Sequence, residues 1–234
     1  MQKEKTFNLL MVIPDDRKMQ GYKAPATAIE VRKAYKGWSP TYVYPSLVVG
    51  DYLAPMLLLF MELTNYYGYR VQKLLALLPE EIEKWRLTDL PPIDNWVHPS
   101  GKMVLMGDAV HATLPYLAQG AAMAIEDAVF LGSALSHVTS RDDLPRLLQF
   151  FYRSRVDRSH AIQRGSFTNR FFIHMRDEES LAMRRDVFRA GDYPSSPNLL
   201  GSTVFQDWLY GYDAAADAAA RWEKEKGQSI GSRL

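Results

Sequence analysis

The stretch Gly101–Gly132, GKMVLMGDAVHATLPYLAQGAAMAIEDAVFLG, constrains the fold more than any other part of the chain. Met103–Met106 is a short apolar run of the kind that forms a buried strand. Gly107-Asp108 ends it, pairing a residue permissive in backbone angle with a carboxylate. Pro115 stiffens the loop that follows by fixing one dihedral. Gly120 then opens a helix whose apolar residues Ala121, Ala124, Ile125, Ala128, Leu131 and Leu135 recur with helical spacing. The predicted unit is therefore strand, tight turn, proline-held loop and helix.

That order has a chemical meaning. A helix N-terminus presents unpaired N–H groups and a partial positive charge of roughly half a unit, which attracts an anion or a group becoming one. Small residues at Gly120, Ala121 and Ala122 let a flat ligand approach the backbone. Asp108, at the carboxyl end of the strand, can accept hydrogen bonds from sugar or polyol hydroxyls. On spacing alone, an ordinary strand–loop–helix with a capped start accounts for the pattern equally well.

Gly107-Asp108-Ala109-Val110-His111-Ala112, then Pro115, Gln119-Gly120-Ala121 and Glu126-Asp127-Ala128, resembles the second flavin-binding motif of the FAD-dependent aromatic hydroxylases, the flavoprotein monooxygenases of the salicylate and para-hydroxybenzoate hydroxylase type. The resemblance implies that Asp108 bonds the ribityl chain of FAD, that Pro115 lies beside the isoalloxazine ring, and that the Gly120–Ala121 amides face its pyrimidine edge. Reduced flavin carries negative charge on that edge, so a helix N-terminus suits it. Ala118 stands where many relatives have Gly, and Ala122 where many have Asn. No catalytic residue is assigned. His111 belongs to the motif and is expected to orient the loop.

The implied fold class is α/β: part of a Rossmann-like FAD-binding domain, a remnant of an antiparallel substrate-domain sheet, and long C-terminal helices. The expected organisation is a partial substrate domain over 1–95, the later part of the FAD-binding domain over 96–178, and a helical tail over 179–234. Thr6–Ile13 reads as a strand closed by Pro14-Asp15-Asp16, Arg17–Thr27 as a loop, Ala28–Tyr35 as a short helix and Val71–Trp85 as an amphipathic helix. Trp85–Asp89 resembles the strand that returns from the substrate domain. Thr41–Tyr69, rich in Tyr, Leu and Met, has no counterpart in the family pattern and reads as an insertion. Its uncharged run Tyr52–Met61 is shorter than the roughly 20 residues a bilayer span takes.

Leu144–Met175 reads as one long helix. Arg153, Arg155, Arg158 and Arg164 line one of its faces, read as a solvated face with local ion pairs, with an anion-binding face as the alternative. Trp208–Tyr212 and the Ala-rich stretch Asp213–Trp222 resemble a docking tail of fungal members. The net charge of +1 gives no pull toward nucleic acid, and no clear membrane segment stands out. There is no cysteine, which removes disulfides and thiolate chemistry, and the five histidines show no metal-ligand spacing, so no metal is expected. MQKEKTF lacks the apolar core of a signal peptide, and a cytoplasmic protein is the expectation.

A dinucleotide fold needs Gly-x-Gly-x-x-Gly after its first strand, and here no two glycines are separated by a single residue. The resemblance thus covers the ring and ribityl contacts of FAD without its diphosphate anchor. Two readings stay open. In one, the chain belongs to an FAD-dependent monooxygenase that uses NAD(P)H and O2 to hydroxylate a small aromatic substrate of secondary metabolism, with a further chain supplying the missing N-terminal FAD-binding half. In the other, it is a truncated, non-catalytic relative or partner subunit that does not hold FAD tightly by itself.

Overall fold

The computed structural model describes residues 11–13, 20–36, 73–192 and 196–231. Thr6–Leu10, Pro14–Asp16 and the Thr41–Tyr69 insertion lie outside them. The chain divides into two compact units, Met1–Arg86 and Leu87–Leu234.

In the first unit, β1 (Lys23–Thr27) pairs antiparallel with β2 (Glu81–Trp85), with Lys23 opposite Trp85 and Thr27 opposite Glu81. Two expectations fail here. Part of the Arg17–Thr27 loop is a strand, and within the expected Val71–Trp85 helix the described residues are helical only over 73–76. Pro79 explains the second failure, because it cannot donate the backbone hydrogen bond that would continue the helix. Beyond it, Glu81, Ile82, Glu83, Lys84 and Trp85 alternate in exposure with the period of a strand. The returning strand of the sequence reading accordingly lies at 81–85, and residues 86–90 carry no regular structure. Met11–Ile13 also form no strand.

Thr27 closes β1 and opens α1 (Ala28–Ala34) with a capping box. Its hydroxyl accepts from Glu30 N–H at 3.3 Å, and the Glu30 carboxylate accepts from Thr27 N–H at 2.9 Å. Val31, Tyr35 and Leu75 form the core of this unit, with Met11, Ile13, Leu78 and Ile82 against them.

The second unit begins with irregular chain around buried Trp96. Met103–Met106, expected as a buried strand, makes only one antiparallel bridge, between Val97 and Val104. Met103 and Leu105 point outward, 57% and 40% exposed. An apolar run without a neighbouring strand on either side has nowhere to bury both faces. A helical turn, Asp108–His111, and a short 3-10 turn, Pro115–Leu117, lead into α2 (Gly120–Leu135).

The long helix expected at Leu144–Met175 is α3 (Leu144–Ile173), opened by Pro145 in its first turn after a Ser140 cap that accepts from Asp142 N–H. Helices α4 (Glu178–Ala190), α5 (Thr203–Tyr210) and α6 (Ala214–Gly231) follow. The main core gathers Trp96 and Val110 with Phe130 of α2, Phe151 of α3, and Ala218 and Trp222 of α6. Trp96 meets Phe151 edge-on at 5.9 Å. Among the described residues no helix is long and apolar enough to cross a membrane.

Candidate functional site

Gly107 makes the turn that carries Asp108. Its backbone sits at φ +59°, ψ −145°, a region that disfavours side-chain-bearing residues, and a Cβ there would lie 3.2 Å from Ala124 Cβ. The turn is thus held close against α2 one turn inside its start. Asp108 begins a helical turn with its side chain exposed.

The loop then runs past exposed Pro115 to Ala118, the single non-glycine residue with positive φ among those described, at +54°. Ala118 thus takes a left-handed conformation that a glycine would adopt more readily. The loop is fastened from below by α3. Asn169 donates to the Tyr116 carbonyl at 2.7 Å, the Ser166 hydroxyl donates to the Leu114 carbonyl, and Gln163 donates to the Ala112 carbonyl at 3.3 Å. Tyr116 OH and His174 Nε2 lie 3.1 Å apart. Burial and the positive charges of Arg176, Arg170 and Arg184 hold the His174 imidazole below its usual value, so it is neutral at pH 7.

Gln119 precedes α2 without any side-chain cap, and the first turn Gly120-Ala121-Ala122 offers no acceptor of its own. Its leading amides therefore keep their donor capacity. A Cβ on Gly120 would lie 3.9 Å from Asp108 Oδ1 and 3.9 Å from Thr113 Cγ2. The Asp108 carboxylate and the helix mouth are thus immediate neighbours. Pro115 and Ala121 are exposed, and Gly120 is half-buried. Asp108 and Gly120, twelve positions apart in sequence, thus lie side by side at the surface. A surface cavity of about 380 Å³ beside Arg158, Trp208 and Tyr212 is separate, and none of these four residues lines it.

Behind the Asp108 turn and the start of α2 lies a network that sequence reasoning missed. Asp127, fully buried on α2, accepts from Gly107 N–H at 3.0 Å and from His111 Nε2 at 2.6 Å through Oδ2, and from Arg155 Nε at 2.9 Å through Oδ1. Arg155 Nη2 also reaches Glu126 at 2.7 Å, and Arg158 grips both Glu126 oxygens at 2.7 and 2.8 Å. Arg158 further donates to the carbonyls of Trp208 and Leu209 and stacks over the Tyr212 ring at 4.1 Å.

The solvated arginine face is accordingly corrected. Arg155 and Arg158 are buried, because each has a carboxylate on α2 to neutralise it, while Arg153 and Arg164 remain outside. The signal in the sequence was the adjacent pair Glu126-Asp127 together with Arg155 and Arg158 one helical turn apart, a spacing that puts both arginines on one face.

Burial would raise the Asp127 carboxyl, but the His111 and Gly107 hydrogen bonds and the Arg155 charge together hold it below the ordinary carboxylate range. Tyr212 is pushed up to about 12, chiefly by burial, against the opposing pull of Arg155, and its hydroxyl donates to Asp217 at 2.8 Å. Among the described residues no group of His, Cys, Asp or Glu is placed to hold a metal ion.

This pairing suits a flavin. It sets free amide donors beside a carboxylate acceptor, with no protein side chain larger than Thr113 at the Gly120 position. Such donors match the carbonyl-rich pyrimidine edge, and the carboxylate matches a polyol hydroxyl.

Comparison with known proteins agrees. The FAD binding domain family matches residues 93–166. The FAD-dependent monooxygenase OpS4 of Beauveria bassiana is 31% identical over 217 residues, covering 91% of this chain and 43% of that protein. The 3-hydroxybenzoate 6-hydroxylase of Polaromonas naphthalenivorans is 35% identical over 136 residues, covering 58% of this chain and 31% of that protein. In fold, a salicylate hydroxylase substrate complex superposes with a TM-score of 0.59 at 23% identity, covering 89% of this chain and 40% of that one. Mostly helical, with one two-stranded antiparallel sheet among the described residues, the chain has a partial α/β flavin-binding fold. It spans less than half the length of these curated relatives, and over residues 93–166 it matches the FAD binding domain family.

Proposed function

We propose that this chain forms the flavin-ring side of an FAD-dependent monooxygenase that uses NAD(P)H and O2 to hydroxylate a small aromatic substrate. The observation that carries the reading is the juxtaposition of the Asp108 carboxylate with the uncapped start of α2. Bound FAD would supply the electron transfer and oxygen activation. The protein's part is placement. Asp108 accepts from the ribityl hydroxyls, the Gly120 and Ala121 amides donate to the pyrimidine edge, and Pro115 stiffens the loop beside the ring. The dipole of a sixteen-residue helix favours negative charge at its mouth, which stabilises the ring as it gains electrons.

The same reading identifies what covers the bare apolar surface. On α2, Ile125 is 64% and Val129 43% exposed, in line with exposed Ala121 and Ala128. A helix apolar on both faces is built to be buried on both. The partner is a further FAD-binding portion bearing Gly-x-Gly-x-x-Gly, whose sheet packs on this face and whose phosphate loop holds the diphosphate. The proportions support this, since more than half of OpS4 has no counterpart here.

The test is a titration of the purified protein with FAD, followed by flavin absorbance and fluorescence, alone and with the complementing portion present. Saturable binding, with NAD(P)H oxidation stimulated by an aromatic acid or phenol, supports the reading. A protein that stays colourless in both settings overturns it in favour of a non-catalytic relative.

A further inference from the structure

Asp127 divides its carboxylate between two tasks. Oδ2 takes the Gly107 amide and His111 Nε2, the residues that bracket the turn bearing Asp108. Oδ1 takes Arg155, which holds the group charged in a fully buried position. The residue that fastens the turn is itself part of the helix whose first residue lies beside Asp108. Gly120 lies seven positions before Asp127 on that helix, a fixed distance of about 10 Å at 1.5 Å per residue. The turn cannot move away from the helix mouth without breaking two hydrogen bonds to one rigidly held side chain.

The network makes poor sense as a device for stability alone. His111 Nδ1 and Arg155 Nη1 are buried without a hydrogen-bond partner. Incompletely satisfied buried ion pairs are commonly no more stabilising than apolar packing of the same volume. What this arrangement supplies is geometry.

We propose that Asp127 is a positioning residue that sets the separation between the Asp108 carboxylate and the mouth of α2, acting through Gly107 and His111. The proposal rests on the flavin reading of the site for its consequence, but not for its mechanical content. Glu126 and Arg158 extend the hold to the chain at Trp208–Leu209, so the docking of α5 and the cofactor loop share one set of charges.

The experiment compares Asp127→Asn with Phe130→Leu, a change to a fully buried residue on the same helix that makes no hydrogen bond to the turn. Amide hydrogen exchange of the 107–119 segment is measured without FAD, and FAD affinity is measured with the complementing portion present. The expected result is exchange at Gly107–His111 faster by about tenfold or more in Asp127→Asn, and FAD binding weaker by a similar factor. Phe130→Leu, at a comparable loss of Tm, leaves both within about twofold of the parent. Should Asp127→Asn fail to fold, His111→Ala and His111→Gln replace it. Gln keeps an N–H donor and should restore slow exchange, while Ala should not.

Equal exchange in Asp127→Asn and Phe130→Leu, or a loosened turn with unchanged FAD affinity, overturns the proposal. If the parent protein binds no FAD in any setting, the flavin reading fails instead, and the exchange comparison still decides whether Asp127 positions the turn.

Discussion

Replacing Arg155 with Met removes the cation from the middle of the buried network while keeping a long apolar side chain in its place. The parent side chain is fully buried, with its Nε 2.9 Å from Asp127 and its Nη2 2.7 Å from Glu126. Glu126 keeps Arg158 afterwards. Asp127 keeps Gly107 N–H and His111 but loses its permanent charge partner. Stripping one partner from a buried pair costs about 3–5 kcal/mol. The stacked Tyr212 ring, 5.1 Å from the guanidinium, keeps the loss toward the upper part of that range, and Met filling the volume works against it. At about 2–4 °C per kcal/mol for a chain of this size, Tm should fall by about 6–20 °C.

Urea unfolding at pH 7 gives the free energy, with an unchanged slope confirming that the native state is otherwise intact. The second arm is Asp127→Leu, alone and combined with Arg155→Met. The double variant should be more stable than the sum of the two losses by more than about 1 kcal/mol, since neither charge is then left alone. A single-variant loss under about 1 kcal/mol, or additivity within about 0.5 kcal/mol, would refute the argument.

The remaining predictions concern the same region. Asp127 has a folded pKa below its unfolded value, so its contribution is complete above the ordinary aspartate range and is lost as pH falls through the folded value; acid unfolding of Arg155→Met should therefore begin at a higher pH than in the parent. Asp108→Ala should weaken FAD binding by about 10- to 100-fold with Tm nearly unchanged, because the side chain is exposed; calorimetry and a flavin titration read the two. Gly107→Ala should cost about 1–3 kcal/mol in a denaturant melt from its backbone conformation, and adding Ala124→Gly should return only the part due to the 3.2 Å contact. Ile125→Glu should leave the fold of the isolated chain intact and abolish its association with a complementing FAD-binding portion in a pull-down.

The sequence made the neighbourhood of Asp108 and Gly120 more legible than the strand pairing. A Gly-Asp turn, a proline and a small-residue helix start are local features, and each carries its own backbone preference; the structure brings Asp108 to the start of α2 without any long-range pairing having been foreseen. The long helix α3 was equally legible, since thirty residues of consistent periodicity outweigh local noise. What failed was non-local. Lys23–Thr27 looks like polar loop until Glu81–Trp85 is set beside it, more than fifty residues away. Met103–Met106 carries the composition of a central strand, but a strand exists only when its neighbours do. Arg155 and Arg158 looked solvated because their partners lie on another helix, and charge pairing across helices leaves no period in a single stretch.

The uncovered apolar side of α2 also bears on how such a protein is made. Residues of this kind left facing water attract one another, so the chain on its own should self-associate as its concentration rises and should bind a hydrophobic dye while still folded. On the proposed reading, a companion surface seated on this face would suppress both the self-association and the dye binding.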